Sequence, residues 1–227
     1  MTEFKRFLFR SLVAPLKLGA RLFADHRIFG AHHIPPGPKI YAHNHISSLD
    51  TLWVLPVFPE PVHTVVGPAY HSRLAALALD YFEQINAMPD HRATVVDRAV
   101  AHLRHGEPVH IAPEGDLQVD GTLGRFYPGT AKIYRKHPVP IVPIAIVARD
   151  SVKRRVRCLD MTIEGRLYQG LFVFRGPYFV SVGQPFTPKL NEMADEKQDN
   201  KRIMQELKTR IQTLINDVRS SHSEATD

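Results

Sequence analysis

KIYAHNHISSLD, from Lys39 to Asp50, is the stretch from which the rest of the chain can be placed. Its start alternates apolar positions, Ile40 and Ala42, as a strand does, and the polar cluster after it marks the loop where that strand ends. Asp50 stands directly before the apolar run TLWVLPVF, so it enters the first turn of a helix, where a carboxylate is favoured. From there it folds back toward His45, five positions earlier. The chemistry that suits the pair is proton abstraction. A neutral imidazole takes a proton from a hydroxyl, while a carboxylate on its other nitrogen fixes the tautomer and stabilises the imidazolium. An H-x-x-x-x-D spacing also describes an ordinary loop histidine beside a helix cap, so spacing alone does not decide the chemistry.

Working outward, the flanking segments alternate between helical and extended patterns. HTVVGPAY (63–70) reads as a short strand, SRLAALALDYF (72–82) as a helix and QINAM (84–88) as a strand. ATVVDRAVAHLRHG (93–106) is a helix closing at Gly106, and PVHIA (108–112) is a further strand. A helix opens near Pro128 to Thr130, and a buried strand follows from Pro140 to Val147. Pro143 lacks an N–H for a ladder, which predicts that this strand is an edge, carries a bulge or ends there. Extended pieces recur between residues 152 and 186, notably LFVF and YFVSVGQPF. The expected fold class is α/β: a single domain with a mixed, largely parallel sheet flanked by helices. Ligands of such sheets collect where strands end.

The two ends of the chain are amphipathic. Over residues 2–29, Arg6, Arg10, Lys17 and Arg21 fall in a narrow sector at 3.6 residues per turn, opposite Phe4, Leu8, Leu12, Leu16, Leu22 and Phe23. This predicts a basic helix, kinked near Pro15, that either lies on an anionic membrane or packs on its own domain. A basic, acid-poor start also fits a mitochondrial presequence. Toward the other end, Ile203, Leu207, Ile211, Leu214 and Val218 share a helical face that docks on the body, with fraying expected from Ser220. The division expected is a membrane-surface helix over 1–29, a folded domain over 30–187 and a C-terminal helix with tail over 188–227.

Composition narrows the partners. Lys+Arg 29 against Asp+Glu 23 leaves a net charge of +6, which favours anionic partners such as phospholipid headgroups or coenzyme A. No aromatic-interleaved basic module supports nucleic-acid binding. The single cysteine, Cys158, excludes an internal disulfide and is read as structural. The longest apolar run, Val139 to Ala148, is far too short to cross a bilayer, which points to a cytoplasmic protein bound peripherally to the membrane.

A second stretch, HIAPEGDLQVDGT, runs a strand into Pro113-Glu114-Gly115, where glycine lets the backbone approach a ligand. Taken together, N-H-I-S-S-L-D (Asn44 to Asp50), A-P-E-G (Ala112 to Gly115), V-P-I-V-P-I-A (Val139 to Ala145) and V-G-Q-P-F (Val182 to Phe186) resemble, in order and spacing, the blocks of the glycerolipid acyltransferase family. The resemblance covers about residues 30 to 187. It implies an O-acyltransferase moving a fatty acyl group from acyl-CoA or acyl-carrier protein to a lysolipid hydroxyl, with His45 as general base and Asp50 as its orienter. It also implies a substrate-binding set of Asn44, Ser47, Arg92, Glu114, Gly115 and Pro143. Of these, Glu114 and Gly115 serve the acceptor, and Pro143 shapes the pocket. No metal and no cofactor beyond the acyl donor are implied.

The chain departs from the family pattern at the third block, where Asp116 and Leu117 stand in place of the Thr-Arg that helps hold an acceptor phosphate. In the second block Arg92 is the nearest arginine, and Tyr127 replaces a common lysine. An acidic Asp116 favours a zwitterionic lysolipid, an ornithine-type lipid or a non-phosphate alcohol as acceptor. Two other readings stand beside the acyltransferase. One is a non-catalytic peripheral lipid-binding protein. The other is a metal-dependent hydrolase using His43, His45 and Asp50, for which the sequence offers no compact second ligand cluster.

Overall fold

The computed structural model describes residues 2–23, 26–118, 122–148, 155–157, 160–168, 170–173, 177–191, 193 and 195–223; Cys158 lies outside them. In chain order the elements are α1 (Glu3–Phe23), β1 (His26–Phe29), β2 (Ile40–His43), α2 (Asp50–Val54), β3 (His63–Val66), α3 (Arg73–Tyr81), β4 (Ile85–Asn86), α4 (Val95–Arg104), β5 (Val109–Ile111), α5 (Gly129–Lys136), β6 (Ile141–Ala148), β7 (Arg155–Arg157), β8 (Met161–Ile163), β9 (Arg166–Tyr168), β10 (Leu171–Val173), β11 (Tyr178–Val182) and α6 (Glu196–Ser223). Seven strands make one sheet in the order β1-β11-β6-β2-β5-β3-β4. The five from β6 to β4 are mutually parallel, β11 runs antiparallel to β6, and β1 pairs parallel with β11. The sheet is therefore mixed and largely parallel, as the alternation of patterns implies.

Both faces are covered. Ile40, Ala42, Val109, Ile141 and Ala145 point to a layer built from α4, α5 and α6, while Tyr41, Val142, Ile144 and Ile146 point to the layer that holds Val13 of α1 and Val54 of α2. Burial on both faces explains why the inner strands read as continuous apolar runs. Along α6, Ile203, Leu207 and Ile211 are fully buried, and the helix continues past Ser220 to Ser223, beyond the expected fraying point.

Three sequence expectations change or narrow. The first helix ends at Phe23, not 29, and HRIF becomes the edge strand β1, whose half-buried His26 and Ile28 alternate with exposed positions. Four residues of period-2 pattern are too few to stand out after 21 residues of helical pattern. Second, β6 is an inner strand paired on both sides, so of the edge, bulge or strand end expected at Pro143 it is a bulge-like break that forms: pairing passes from Ile144↔Val182 to Ile141↔Phe186 with one extra residue on the facing segment. The proline is accommodated because the β11 ladder ends at Ile144↔Val182, and Pro143 O still accepts the Gly183 N–H at 2.9 Å. A Cβ at Gly183 would lie 3.0 Å from Pro143 Cγ and 2.9 Å from Leu214 Cδ1, so glycine there permits the close approach of β11, β6 and α6.

The third change concerns the face that α1 turns inward. Val13 and Phe9 pack toward the body together with Arg6 and Lys17 of the basic sector and Lys5 beside it: Lys5 Nζ meets Glu83 Oε1 at 2.7 Å, Arg6 meets Glu107 Oε1 at 3.3 Å, and Lys17 Nζ donates to Phe58 O at 2.9 Å. Phe4, Phe7, Leu12, Leu16, Leu18 and Leu22 face outward. No helix among the described residues is long and apolar enough to cross a membrane.

Candidate active site

β2 ends at His43, and Asn44 carries its ladder one step further with a side chain. Asn44 Nδ2 donates to Ile146 O at 2.9 Å while Ile146 N–H donates to Asn44 Oδ1 at 2.7 Å, so the amide mimics a peptide unit and fixes the start of the loop. His45 follows, partly exposed, at the C-terminal edge of the parallel strands.

Asp50 opens α2 and is fully buried. Its Oδ2 lies 2.9 Å from His45 Nδ1 and accepts the N–H groups of Ile46 at 2.6 Å and Ser47 at 2.9 Å. An oxygen receiving two backbone donors is an acceptor, so the bridging proton sits on His45 Nδ1 and the lone pair on Nε2. Burial pushes the Asp50 carboxyl up, opposed by these same hydrogen bonds from His45, Ser47 and Ile46. Ser47 is buried; its hydroxyl accepts the Leu49 N–H at 3.2 Å, and the Ser48 N–H donates to Leu171 O at 2.7 Å, so β10 closes over the loop.

The Pro113-Glu114-Gly115 turn sits at the end of β5, next to β2. Gln118 N–H donates to His45 O at 2.8 Å, tying the two loops together. His45 N–H points at Glu114 Oε2 at 3.4 Å, and Glu114 is almost fully buried. Burial pushes its carboxyl up to about 7, against the pull of the His45 N–H and imidazole. Gly115 has φ +64°, a left-handed conformation that explains glycine at this bend.

Asn44, Ser47, Glu114 and Gly115 thus converge on the His45–Asp50 pair; Arg92 and Pro143 do not. Arg92 is exposed in the 3-10 turn after β4, a strand that stands three places from β2 in the sheet. Pro143 is next to Ala42 but packs with Gly183 and Leu214 on the α6 side, away from α2.

Several neighbours escaped the sequence patterns. Tyr178 of β11 stacks on Trp53 at 4.7 Å; burial and then the Asp50 charge push its hydroxyl up, against the pull of Ser47 and Trp53. His43 Nδ1 and His110 Nε2 lie 2.9 Å apart beneath the loop. Burial pushes both imidazoles down, His110 to about 3, which keeps the pair neutral. An apolar groove lined by Phe9, Thr51, Leu55, Val66, Leu79 and Phe82 runs beside α2 and reaches Thr51, the residue after Asp50.

Contrary to the sequence expectation, a second His/acid cluster does form. His63, Glu83, His102 and Glu107 bring their ligand atoms within 4.8 Å of one another, as do His43, His45 and Asp50. In the first group the His63 and His102 rings stack at 3.5 Å with 15° between planes. Both imidazoles contact Glu107 Oε2, at 2.9 and 3.1 Å, and Arg6 contacts its other oxygen. Against the upward push of burial, hydrogen bonds and nearby positive charge hold Glu107 at about 2. The cluster is an ion-pair anchor for α1. No single residue announces it, because it draws on α1, β3, α4 and the segment before β5.

Two comparisons bear on this geometry. The crystal structure of the 1-acyl-sn-glycerophosphate (LPA) acyltransferase PlsC from Thermotoga maritima superposes with a TM-score of 0.61, covering 89% of this chain and 79% of that one at 19% identity; it shares the fold. The acyltransferase family model matches residues 26–147, more than half of the 227-residue chain, and spans β2, His45, Asp50 and the Glu114 turn. The chain therefore belongs to the acyltransferase family, and acyl transfer is its enzymatic activity.

Proposed function

We propose that the chain transfers a fatty acyl group from an acyl thioester, acyl-CoA or acyl-carrier protein, to the hydroxyl of a lysophospholipid or related lipid. The observation that carries this is the His45–Asp50 contact: Nδ1 is held at 2.9 Å by a buried carboxylate, which leaves Nε2 on a partly exposed ring free to take a proton. The acceptor hydroxyl loses its proton to Nε2 as its oxygen attacks the thioester carbonyl. The tetrahedral intermediate then collapses, the C–S bond breaks, and the thiolate takes the proton back from His45. The reaction written this way uses no metal, no redox cofactor and no acyl-enzyme. Glu114 and Gly115 adjoin the acceptor, and the apolar groove that reaches Thr51 suits a hydrocarbon chain.

Asp116 sits half-buried in the loop that Gln118 fastens to His45, directly before Leu117, which stands where the family pattern leads one to expect a phosphate-binding arginine. A carboxylate there opposes a phosphate dianion and favours a zwitterionic, ornithine-type or non-phosphate acceptor. The chain is placed at the cytoplasmic membrane surface, held by the outward apolar side of α1. The test is acyl transfer from labelled acyl-CoA and acyl-carrier protein to an acceptor panel. Product with the zwitterionic or non-phosphate lipids, and weak turnover of lysophosphatidic acid, is expected. Saturable turnover of lysophosphatidic acid alone overturns the acceptor assignment, and no ester product with any pair overturns the function.

A further inference from the structure

Exposed large apolar side chains are concentrated on two helices that touch. On α3, Leu74 and Leu77 are 80% and 70% exposed and Tyr81 shares their face, whereas Leu79 and Phe82 turn inward to line the groove. On α1, Phe4, Phe7 and Leu22 are each about two-thirds exposed, with Leu12, Leu16 and Leu18 beside them. Scattered exposed leucines need no explanation, but nine large apolar residues on adjoining helices exceed what a water-facing surface carries.

The helices meet along a defined seam. Lys5 Nζ lies 5.3 Å from the Tyr81 ring centroid and 2.7 Å from Glu83 Oε1, and Phe9 packs edge-on against Phe82 at 5.6 Å. Lys5, Leu12 and Leu16 are spaced i, i+7, i+11, so they share one edge of α1, and that edge adjoins α3. The exposed apolar residues of α1 and α3 thus lie on helices joined where Lys5 meets Tyr81. The ion pairs of Lys5 and Arg6 hold this arrangement by tying α1 to Glu83 and Glu107 of the body, with its apolar sector left outside.

We propose that α3 is a second bilayer-docking element, and that α1 and α3 together form a two-helix platform for an anionic lipid surface. A lipid is favoured over a protein partner for two reasons. Arg10 and Arg73 are exposed on these same helices, in a chain of net charge +6, so cations accompany the apolar face as interfacial helices require. Beneath the α1–α3 seam, the groove between Phe9 and Phe82 leads to Thr51 beside Asp50, a path whose lining matches a hydrocarbon chain. Two docked helices also fix the tilt of the body on the membrane, which a single helix leaves free to roll. The inference rests on the membrane placement proposed above, and its test separates the two.

The full-length chain is floated with vesicles of phosphatidylcholine and phosphatidylglycerol, as wild type, as Leu74→Glu/Leu77→Glu and as Phe7→Glu/Leu18→Glu. Removing two leucines from the interface and adding two charges is expected to weaken the α3 variant's partitioning about 100-fold. Its thermal midpoint should stay near wild type, since both positions are exposed; if the midpoint falls, Leu74→Ser/Leu77→Ser carries the same test. Undiminished flotation of the α3 variant overturns the proposal, and loss confined to the α1 variant leaves α1 as sole anchor. Failure of the wild type to float removes both. A wild-type dimer in light scattering that the α3 substitutions convert to monomer also overturns it, by making the face a contact between copies.

Discussion

Replacing Glu114 by glutamine separates what this carboxyl does for the site from what it costs the fold. The side chain is almost fully buried and accepts from the His45 N–H at 3.4 Å, and burial moves its pKa from 4.5 to about 7. The folded state thus holds the proton more tightly than the unfolded chain. The stability gained by protonation is whole below pH 4.5 and is lost as pH rises through 7. The interval from 4.5 to about 7 corresponds to about 3 kcal/mol. Glutamine keeps an acceptor for the His45 N–H and does not titrate. Urea unfolding of wild type and Glu114→Gln at pH 5, 6, 7 and 8 should give curves that nearly coincide at pH 5 and diverge by up to about 3 kcal/mol at pH 8, the variant being the more stable. His43 and His110 titrate equally in both proteins and drop out of the difference. Parallel stability profiles across this range would refute the reasoning, because the buried carboxyl would then cost nothing on ionising. The variant should turn over acceptor more slowly, as expected when a stabilising change removes a functional group.

Asn44→Ala should lower stability by about 2 kcal/mol, measured by denaturant unfolding, because the Ile146 N–H and carbonyl lose their side-chain partners together. Acid stability should depend on His110: its folded pKa is depressed, so the unfolded chain takes up protons first and stability falls as pH drops below 6.5. His110→Phe should flatten that acid limb in a pH series of thermal midpoints.

The strands that carry the site were legible because burial on both faces writes itself as apolar runs, seen in β2, β5 and β6. The His45–Asp50 pair was legible because both residues lie on one loop, where sequence distance approximates spatial distance. What escaped depends on tertiary assembly. Asn44 reads as a site residue, yet both ends of its amide are spent on Ile146, a hundred positions away. Pro143 reads as an edge, a bulge or a strand end, and only the tertiary pairing selects among them: an inner strand with an irregular step beside the proline, between Ile144↔Val182 and Ile141↔Phe186. Periodicity gives α1 two faces without saying which turns inward. The choice was made by Glu83, Glu107 and the Phe58 carbonyl, which draw in Lys5, Arg6 and Lys17. Arg92 shows the opposite limit: proximity to a block in sequence left it in an exposed turn after β4, three strands from β2.

The most direct test is the steady-state rate of ester formation by wild type, His45→Ala and Asp50→Asn with one donor and one accepted lipid. Loss of the base and loss of the group that sets its tautomer should each lower kcat by about 10²–10⁴, with the acceptor KM much less affected. A double variant should be little worse than either single one, since the two residues act as a unit. Equal rates from all three proteins would contradict the account.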